Sequence, residues 1–424
     1  MSCPRHPIFS LASLVTAVYL VGCSGGGGYH EEMRSSARER VAIFNAQLAY
    51  DQATQAFNTG RFDQAMRQIV AAIQQYPQNP AYHLLQGRIL METHRLERSI
   101  HAFEKAFEFA PEFAEAHYYA GIVYQRWSND ARAYEQYFQA HELDSSSVQY
   151  LLAAAEALIS LQQYDDALVL VESKLDYFEH NAAMRQLLGQ IALLRGNAPR
   201  AAKLFAEARL LNPDDEMLLD ELAHAQYAAR LYGQCYESVK RLQKLSKEKN
   251  PALMLLEARC LAAMQRSTEA RNLFLKMTRI RPSDPEVWIG LGSLAWELGD
   301  FRRTALCSTR IIALAPHRYE GYMLKGIYEQ HKGNFEQATG LLRRAAGLAP
   351  SAAIPHLVLG RTLEEAGDVE GALRAYTEAL RAEPENADAQ ALFQGLSLAP
   401  RPSAPFEPPT TSVGGRRVQE GSIH

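Results

Sequence analysis

Cysteine, histidine and paired carboxylates are the residues from which this chain could build covalent or acid–base chemistry, so their spacing comes first. Cys235, Cys260 and Cys307 stand singly within helical patterns, with no paired spacing that would hold a metal. They read as small buried apolar side chains, or, in an oxidising compartment, two of them as partners in one disulfide. Asp165-Asp166 and Glu364-Glu365 are adjacent carboxylates, but sequence neighbours on a helix do not face each other and cannot share a proton. There is no His-Glu-x-x-His, no phosphate loop closing on Lys-Ser/Thr and no serine elbow. Gly25 to Gly28 lacks the strand-turn-helix setting of a nucleotide loop. We therefore expect no catalytic residue, no metal and no cofactor, and a chain that is not an enzyme.

Cys23 is the exception. Before it, Arg5 leads a mostly apolar run from Ile8 to Val21, too short to span a bilayer comfortably. The run ends Leu20-Val21-Gly22-Cys23, which resembles the lipobox of bacterial lipoproteins. That resemblance implies removal of residues 1–22, Cys3 included, and a lipid bilayer anchor on the sulfur and amine of Cys23. More than one acyl chain gives stable anchoring where a single chain is marginal. Ser24 to Gly28 would then be a flexible tether. Ser24 in place of Asp implies sorting to the outer membrane, on its periplasmic face. The alternatives are an ordinary secretory signal, or a buried helix with an incidental cysteine.

The elements beyond the tether are set by a period. Pro77 and Pro111 are thirty-four positions apart, as are successive members of Pro282, Pro316, Pro350 and Pro384. Pro213 falls three such periods after Pro111, and two periods plus one position before Pro282. Proline lacks the N–H and ends a helix, so each marks the close of one unit. A small column precedes the proline column by two-thirds of a period: Gly87, Gly121, Gly189, Gly292, Gly326 and Gly360, with Ala53, Ala155, Ala223 and Ala258 in the same register. Further along each copy come Ala65, Ala133, Ala167, Ala201, Ala270, Ala338 and Ala372, then a bulky column of Phe103, Tyr137, Phe205, Phe274 and Tyr376. Ala72, Ala106, Ala140, Ala208, Ala345 and Ala379 complete the set. Turns such as Gly60-Arg61-Phe62, Gly299-Asp300-Phe301, Gly333-Asn334-Phe335 and Gly367-Asp368-Val369 separate two helices within each period, and Asp300 and Asp368 can cap the second.

These columns resemble the tetratricopeptide repeat (TPR) throughout, with Trp288 at the family's opening aromatic position. The resemblance implies an all-α, right-handed α-solenoid of about ten TPR helix pairs. The copies run from 46–79 to 353–386, and the seventh starts one residue late at Pro251. Residues 23–45 are read as the lipidated N-terminus, tether and leading helix, with Val41, Phe44 and Leu48 beginning the stack. Residues 387–396 read as a capping helix, and the Pro-, Ser- and Gly-rich 397–424 as a disordered tail that can carry a short binding motif. The weakest copies are the fourth, with Lys174 and Glu179 at small and proline positions, and the sixth, with Cys235 in an alanine register. Irregular stacking is expected near 175–250.

A net charge of −4 gives no sign of nucleic-acid binding, which rests on clustered Lys and Arg. Function is expected on the concave surface formed by the first helices. One column there reads Thr54, Arg88, Ile122, Glu156, Gln190, His224, Arg259, Ser293, Ile327 and Arg361. The other reads Tyr50, Leu84, Tyr118, Leu152, Gln186, Asp220, Leu255, Ile289, Met323 and Leu357. The second either lines a groove for a peptide or helix, or only packs the first helices together. Candidate protein-binding residues are Arg88, Tyr118, His224, Tyr227, Arg259, Trp296, Met323 and Arg361. Arg88, Arg259 and Arg361 are too separated to form the carboxylate clamp of chaperone-binding relatives. The chain looks like the repeat lipoproteins of polysaccharide export, pilus or secretin assembly, which implies a scaffold with a protein partner in its groove, such as an outer-membrane barrel or secretin subunit. The alternative is an adaptor recruiting cell-wall or proteolytic enzymes.

Overall fold

Helix boundaries follow the punctuation of the sequence. In the computed structural model, which describes residues 26–246 and 250–398, the described elements are all helices. They are α1 Gly26–Asn58, α2 Phe62–Gln75, α3 Pro80–Glu92, α4 Leu96–Phe109, α5 Ala114–Arg126, α6 Asp130–Leu143, α7 Val148–Ser160, α8 Tyr164–Glu172, α9 Ala182–Leu194, α10 Ala198–Leu211, α11 Glu216–Ala228, α12 Tyr232–Leu245, α13 Pro251–Ala263, α14 Ser267–Ile280, α15 Pro285–Glu297, α16 Phe301–Leu314, α17 Tyr319–His331, α18 Phe335–Leu348, α19 Ala353–Glu365, α20 Val369–Ala382 and α21 Ala387–Leu398. Proline opens α3, α13 and α15, where its missing N–H costs nothing. Asn79, Asn181, Asp215, Asn250 and Asp284 accept backbone N–H bonds at the starts of first helices. Asp300 and Asp368 cap α16 and α20 as the sequence implies. No described helix is long and apolar enough to cross a membrane. Cys23, the signal segment and residues 399–424 lie outside the described residues.

The chain divides into two units, residues 1–230 and 231–424. In the first, α1 to α10 form antiparallel pairs, and α11 follows. In three of these pairs a ring from the second helix lies over a residue without a side chain in the first. A Cβ on Gly121 would fall 2.5 Å from the Tyr137 ring, and one on Gly189 2.7 Å from Phe205; Gly87 and Phe103 are closer still. Phe103, Tyr137 and Phe205 are buried as a result. The Tyr137 hydroxyl donates to Gln125 Oε1 at 2.9 Å, so this ring is fixed at its tip as well as its face.

The second unit repeats the device in α13 to α20, with substitutions. Gly360 receives the Tyr376 ring, whose hydroxyl donates to Glu364 Oε2 at 2.8 Å. Gly326 receives Leu342 in place of a ring, 2.7 Å from an added Cβ. Phe274 lies against Gly290 in the following pair, because Ala258 occupies the glycine register of its own. Ile311, at an alanine position, is buried where Gly321 opposes it; a Cβ on Gly321 would come within 2.9 Å of Ile311. Leu392, Phe393 and Leu396 of α21 cover the cluster around Leu359, Leu363 and Tyr376.

Three features differ from the sequence reading. The leading helix and the first helix of the first repeat are one helix, α1, which begins within the glycine run at Gly26 and has no Pro or Gly between 29 and 58 to break it. Its buried face is Ala46, Ala49, Ala53 and Ala56, at helical spacing, and this turns Val41, Phe44 and Leu48 to solvent at 59%, 69% and 50% exposure. They do not begin the stack. The irregularity expected after 175 starts at Ser173: α8 stops after 9 residues, and Lys174, at a position that buries alanine elsewhere, lies in the turns that follow. The third feature is the turn within each pair. Positive φ recurs at His94, Ser128, Gln162, Arg230 and Gln265 as well as at Gly60, Gly196, Gly299, Gly333 and Gly367. The amide one residue on closes the turn, as in Arg95 N to Leu90 O at 2.8 Å and Asp300 N to Ala295 O at 2.8 Å.

A left-handed backbone costs an L-residue about 1–2 kcal/mol, against which glycine sets about 0.5–1 kcal/mol of lost chain freedom. Gln162→Gly and Gln265→Gly are therefore expected to raise unfolding free energy by about 0.5 kcal/mol each in denaturant titration, and Gly299→Ala to lower it.

His141 gives a pH test. It is buried, its Nδ1 has no partner among the described residues, and burial, then nearby Lys174, push its pKa down. With the folded pKa below the unfolded value of about 6.5, the unfolded chain binds more protons between the two, so stability is full above pH 6.5 and falls as pH drops through that window. The His141→Phe variant should lose this part of the acid sensitivity in unfolding measured from pH 7.5 to 5.

Candidate protein-binding groove

The candidate residues fall into separate surroundings, taken unit by unit. In the first unit, Arg88 on α3 is held on three sides. Its guanidinium lies 5.1 Å from the Phe57 ring centre and 4.7 Å from that of Tyr119, and pairs with Glu115 at 3.8 Å. Burial raises the pKa of the Tyr119 phenol, and Arg88 opposes that rise. Tyr118 on α5 packs among Tyr119, Tyr137 and Tyr150, with ring centres 5.1–5.6 Å apart, and its hydroxyl accepts from Gln149 at 2.7 Å. His224 on α11 is exposed, with Nδ1 2.9 Å from the carbonyl of Asp220 on its own helix. Tyr227 is half-buried one turn further on. Between these positions the groove face turns polar: Gln186 of the second column and Gln190 of the first both donate to Glu221, each at 2.7 Å. Amide-to-carboxylate bonds here join α9 to α11 where apolar contacts would otherwise line a groove.

In the second unit, Arg259 on α13 is also engaged. It bonds Glu286, which receives Arg318 as well at 2.6 Å, and Arg318 reaches Glu320 at 2.6 and 3.0 Å. Burial would raise the Glu320 pKa, but the Arg318 bonds outweigh it and hold the carboxyl below its ordinary range. This network is half-buried and locks the first turns of α15 and α17.

Trp296, Met323 and Arg361 do meet. They line a pocket of about 570 Å³ together with Ile327, Gln330, His331, Val358 and Glu365, from α15, α17 and α19. The volume is ordinary for a ligand pocket. Its floor is Met323, Ile327 and Val358, all half-buried. One wall is aromatic: Trp296 meets His331 edge-on at 6.2 Å, and His331 stacks on Phe301 at 3.7 Å. The opposite wall is fixed by Gln330, which donates to Glu365 at 2.7 Å and accepts from Thr362 at 2.9 Å. Arg361 is exposed and makes no ion pair or hydrogen bond with the described residues. A larger hollow of about 630 Å³ lies at the α3–α4 turn, lined by His94, Arg95, Leu96, Glu97, Arg98 and Trp127, and its walls are more polar than apolar. Among the described residues, no three His, Cys, Asp or Glu side chains gather as a metal site.

Sequence reasoning missed Gln330, His331, Val358 and Glu365. Gln330 was findable, since it stands one full repeat period after Trp296 and shares its register.

Comparisons with known proteins bear on the repeat. One tetratricopeptide-repeat model matches residues 50–110, 84–148, 289–353 and 357–392, and a second matches 158–223. Together these segments span more than half of the chain. No curated protein matches it. Among solved structures it is similar to Pseudomonas aeruginosa PilF, at 20% identity over 49% of this chain and 94% of that one, with a TM-score of 0.40. It is similar to yeast Tom70 at 13% identity, over 83% and 95% of the two chains, with a TM-score of 0.42. A repeat protein from Parabacteroides merdae gives 16% identity, 59% and 99% coverage, and a TM-score of 0.42.

The two kinds of arginine separate in a stability measurement. Arg318→Met leaves the half-buried Glu320 without its donor and Glu286 with Arg259 alone, and is expected to cost about 1–2 kcal/mol. Arg361→Met should stay within about 0.5 kcal/mol of wild type in the same denaturant titration.

Proposed function

The chain belongs to the tetratricopeptide-repeat family, and from that premise we propose that it works as a protein-interaction scaffold whose binding site is the pocket on α15, α17 and α19. Stacked helix pairs of this family bind proteins and are generally not catalysts. What supports the pocket over the other candidate positions is Arg361, which makes no ion pair or hydrogen bond with the described residues and lies beside an apolar floor, while Glu365 of the same pocket is held by Gln330. Arg88 and Arg259 already have their carboxylates. The site suits a segment that offers a bulky apolar side chain next to an acidic one.

The finer reading follows the Cys23 lipobox. In it the protein hangs from the outer membrane on its periplasmic face and holds a subunit of an envelope machine, in polysaccharide export or in pilus or secretin assembly. Trp296, Met323 and Arg361 grip that subunit, while Arg88, Tyr118, His224, Tyr227 and Arg259 stay outside the contact.

Two measurements test this. Pull-down of the detergent-solubilised protein with mass spectrometry should capture an envelope subunit, and Met323→Glu or Trp296→Ala should weaken its binding by about 30-fold, the scale of losing a buried anchor. Equal binding by those variants, with loss on Arg88→Ala, would move the site to the first unit. Separately, Cys23→Ala should release the protein from membranes; retention of that variant would sink the lipid anchor and leave the pocket reading intact.

A further inference from the structure

The sixth and seventh copies meet at a contact that neither the repeat pattern nor the binding function requires. Cys235 on α12 and Cys260 on α13 are both fully buried, and their sulfurs lie 3.1 Å apart, with the Cys260 thiol donating to Cys235 Sγ. Each comes from a different helix, 25 residues apart in sequence. Cys235 stands where other copies carry Ala133, Ala201 or Ala270, so the column asks only for a small side chain there, not for sulfur. Cys307, the third buried thiol, is not paired with another cysteine among the described residues. Among the described residues the pair has no third His, Cys, Asp or Glu with which it would make a metal site.

We propose that Cys235 and Cys260 are a disulfide modification site, joining α12 to α13 across the connection that carries the extra residue of the seventh copy. The sulfurs need to close by about 1 Å to reach bonding distance near 2.05 Å. The oxidant is an external disulfide, glutathione or a protein disulfide. The thiolate of one cysteine attacks a sulfur of that disulfide and expels one thiolate. The second cysteine, losing its proton to that thiolate, attacks the mixed disulfide and expels the other. Two protein thiols are oxidised, one disulfide is reduced to two thiols, and protons balance. The shared hydrogen bond and burial favour at most a single ionisation in the pair, the remaining thiol staying protonated as the donor. Both sulfurs are out of solvent, so exchange proceeds as α12 and α13 come together in folding or when they open locally, not at the surface of the folded chain.

The experiment uses the full chain, reduced, unfolded and refolded in a buffer of oxidised and reduced glutathione. Free thiols are then blocked under denaturing conditions, and the digest is mapped without reductant. The expected result is one cross-linked peptide pair joining Cys235 to Cys260, with Cys307 alkylated, and a Tm higher by roughly 5–10 °C than in the reduced protein. Cys307→Ser should keep that difference and Cys235→Ser should abolish it. If Cys235→Ser does not fold, the wild-type map still decides. Alkylation of both Cys235 and Cys260 after oxidative refolding, or a cross-link through Cys307, overturns the proposal. Because the chemistry is read in a defined buffer, the outcome is independent of where the protein resides and of what its groove binds.

Discussion

Everything in this fold depends on how closely the two helices of a pair can approach, and that distance is set by one contact: a large side chain from the second helix seated on bare backbone in the first. Gly87 under Phe103, Gly121 under Tyr137, Gly189 under Phe205 and Gly360 under Tyr376 are four instances of one geometry. The interior is packed as densely as a crystal, so one added methyl group has nowhere to go. The copies that depart from the pattern keep its sum. Ile311 takes the volume of an alanine position, and Gly321 gives it back. Ala258 fills a glycine position, and Phe274 turns to Gly290 instead. Close approach is kept across a pair or its neighbour even where the individual residues change.

Regular packing in the core leaves the exposed rows of the first helices free to differ, and electrostatics sorts them. Arg88 and Arg259 each find a glutamate in the opening turn of the next first helix, Glu115 and Glu286. Gln186 and Gln190 share Glu221 in a similar way. These contacts hold neighbouring copies together, and they neutralise the groups that take part. At α19 the equivalent arginine, Arg361, makes no such ion pair among the described residues; it shares its pocket with Met323, Ile327 and Val358, and with Glu365, which Gln330 engages. One stretch of the second unit thus keeps a charge and an apolar floor available to something else, while comparable stretches are satisfied internally.

Much of this was legible in the residues, and the rest was hidden for identifiable reasons. Proline and glycine act locally, so the repeat period, the two helices per copy and the caps at Asp300 and Asp368 could be read directly. The turns at His94, Ser128, Gln162, Arg230 and Gln265 were not read, because those residue types carry no signature of positive φ; only their spacing from Gly60 and Gly299 places them. Val41, Phe44 and Leu48 were misplaced because bulk was weighed above register: the alanines at 46, 49, 53 and 56 form the contact face, and the larger side chains are left outside it. In the pocket, Trp296, Met323 and Arg361 stood out by type and column. Gln330, His331 and Glu365 were overlooked because the pocket extends about one helical turn beyond the two columns, by an amount that depends on how neighbouring helices are offset. The partners of Arg88 and Arg259 lie in a different copy, so reading each copy separately could not pair them.

The single extra residue of the seventh copy falls between Leu245, where α12 ends, and Pro251, where α13 begins. The same addition inside a helix would rotate every later side chain by about 100° and carry the glycines out from under their rings. Placed between copies, it leaves both helices in phase. Insertions and deletions in the history of such a chain are therefore filtered by position: the joints between copies accept changes of length one residue at a time, whereas the copies themselves can be gained or lost only whole.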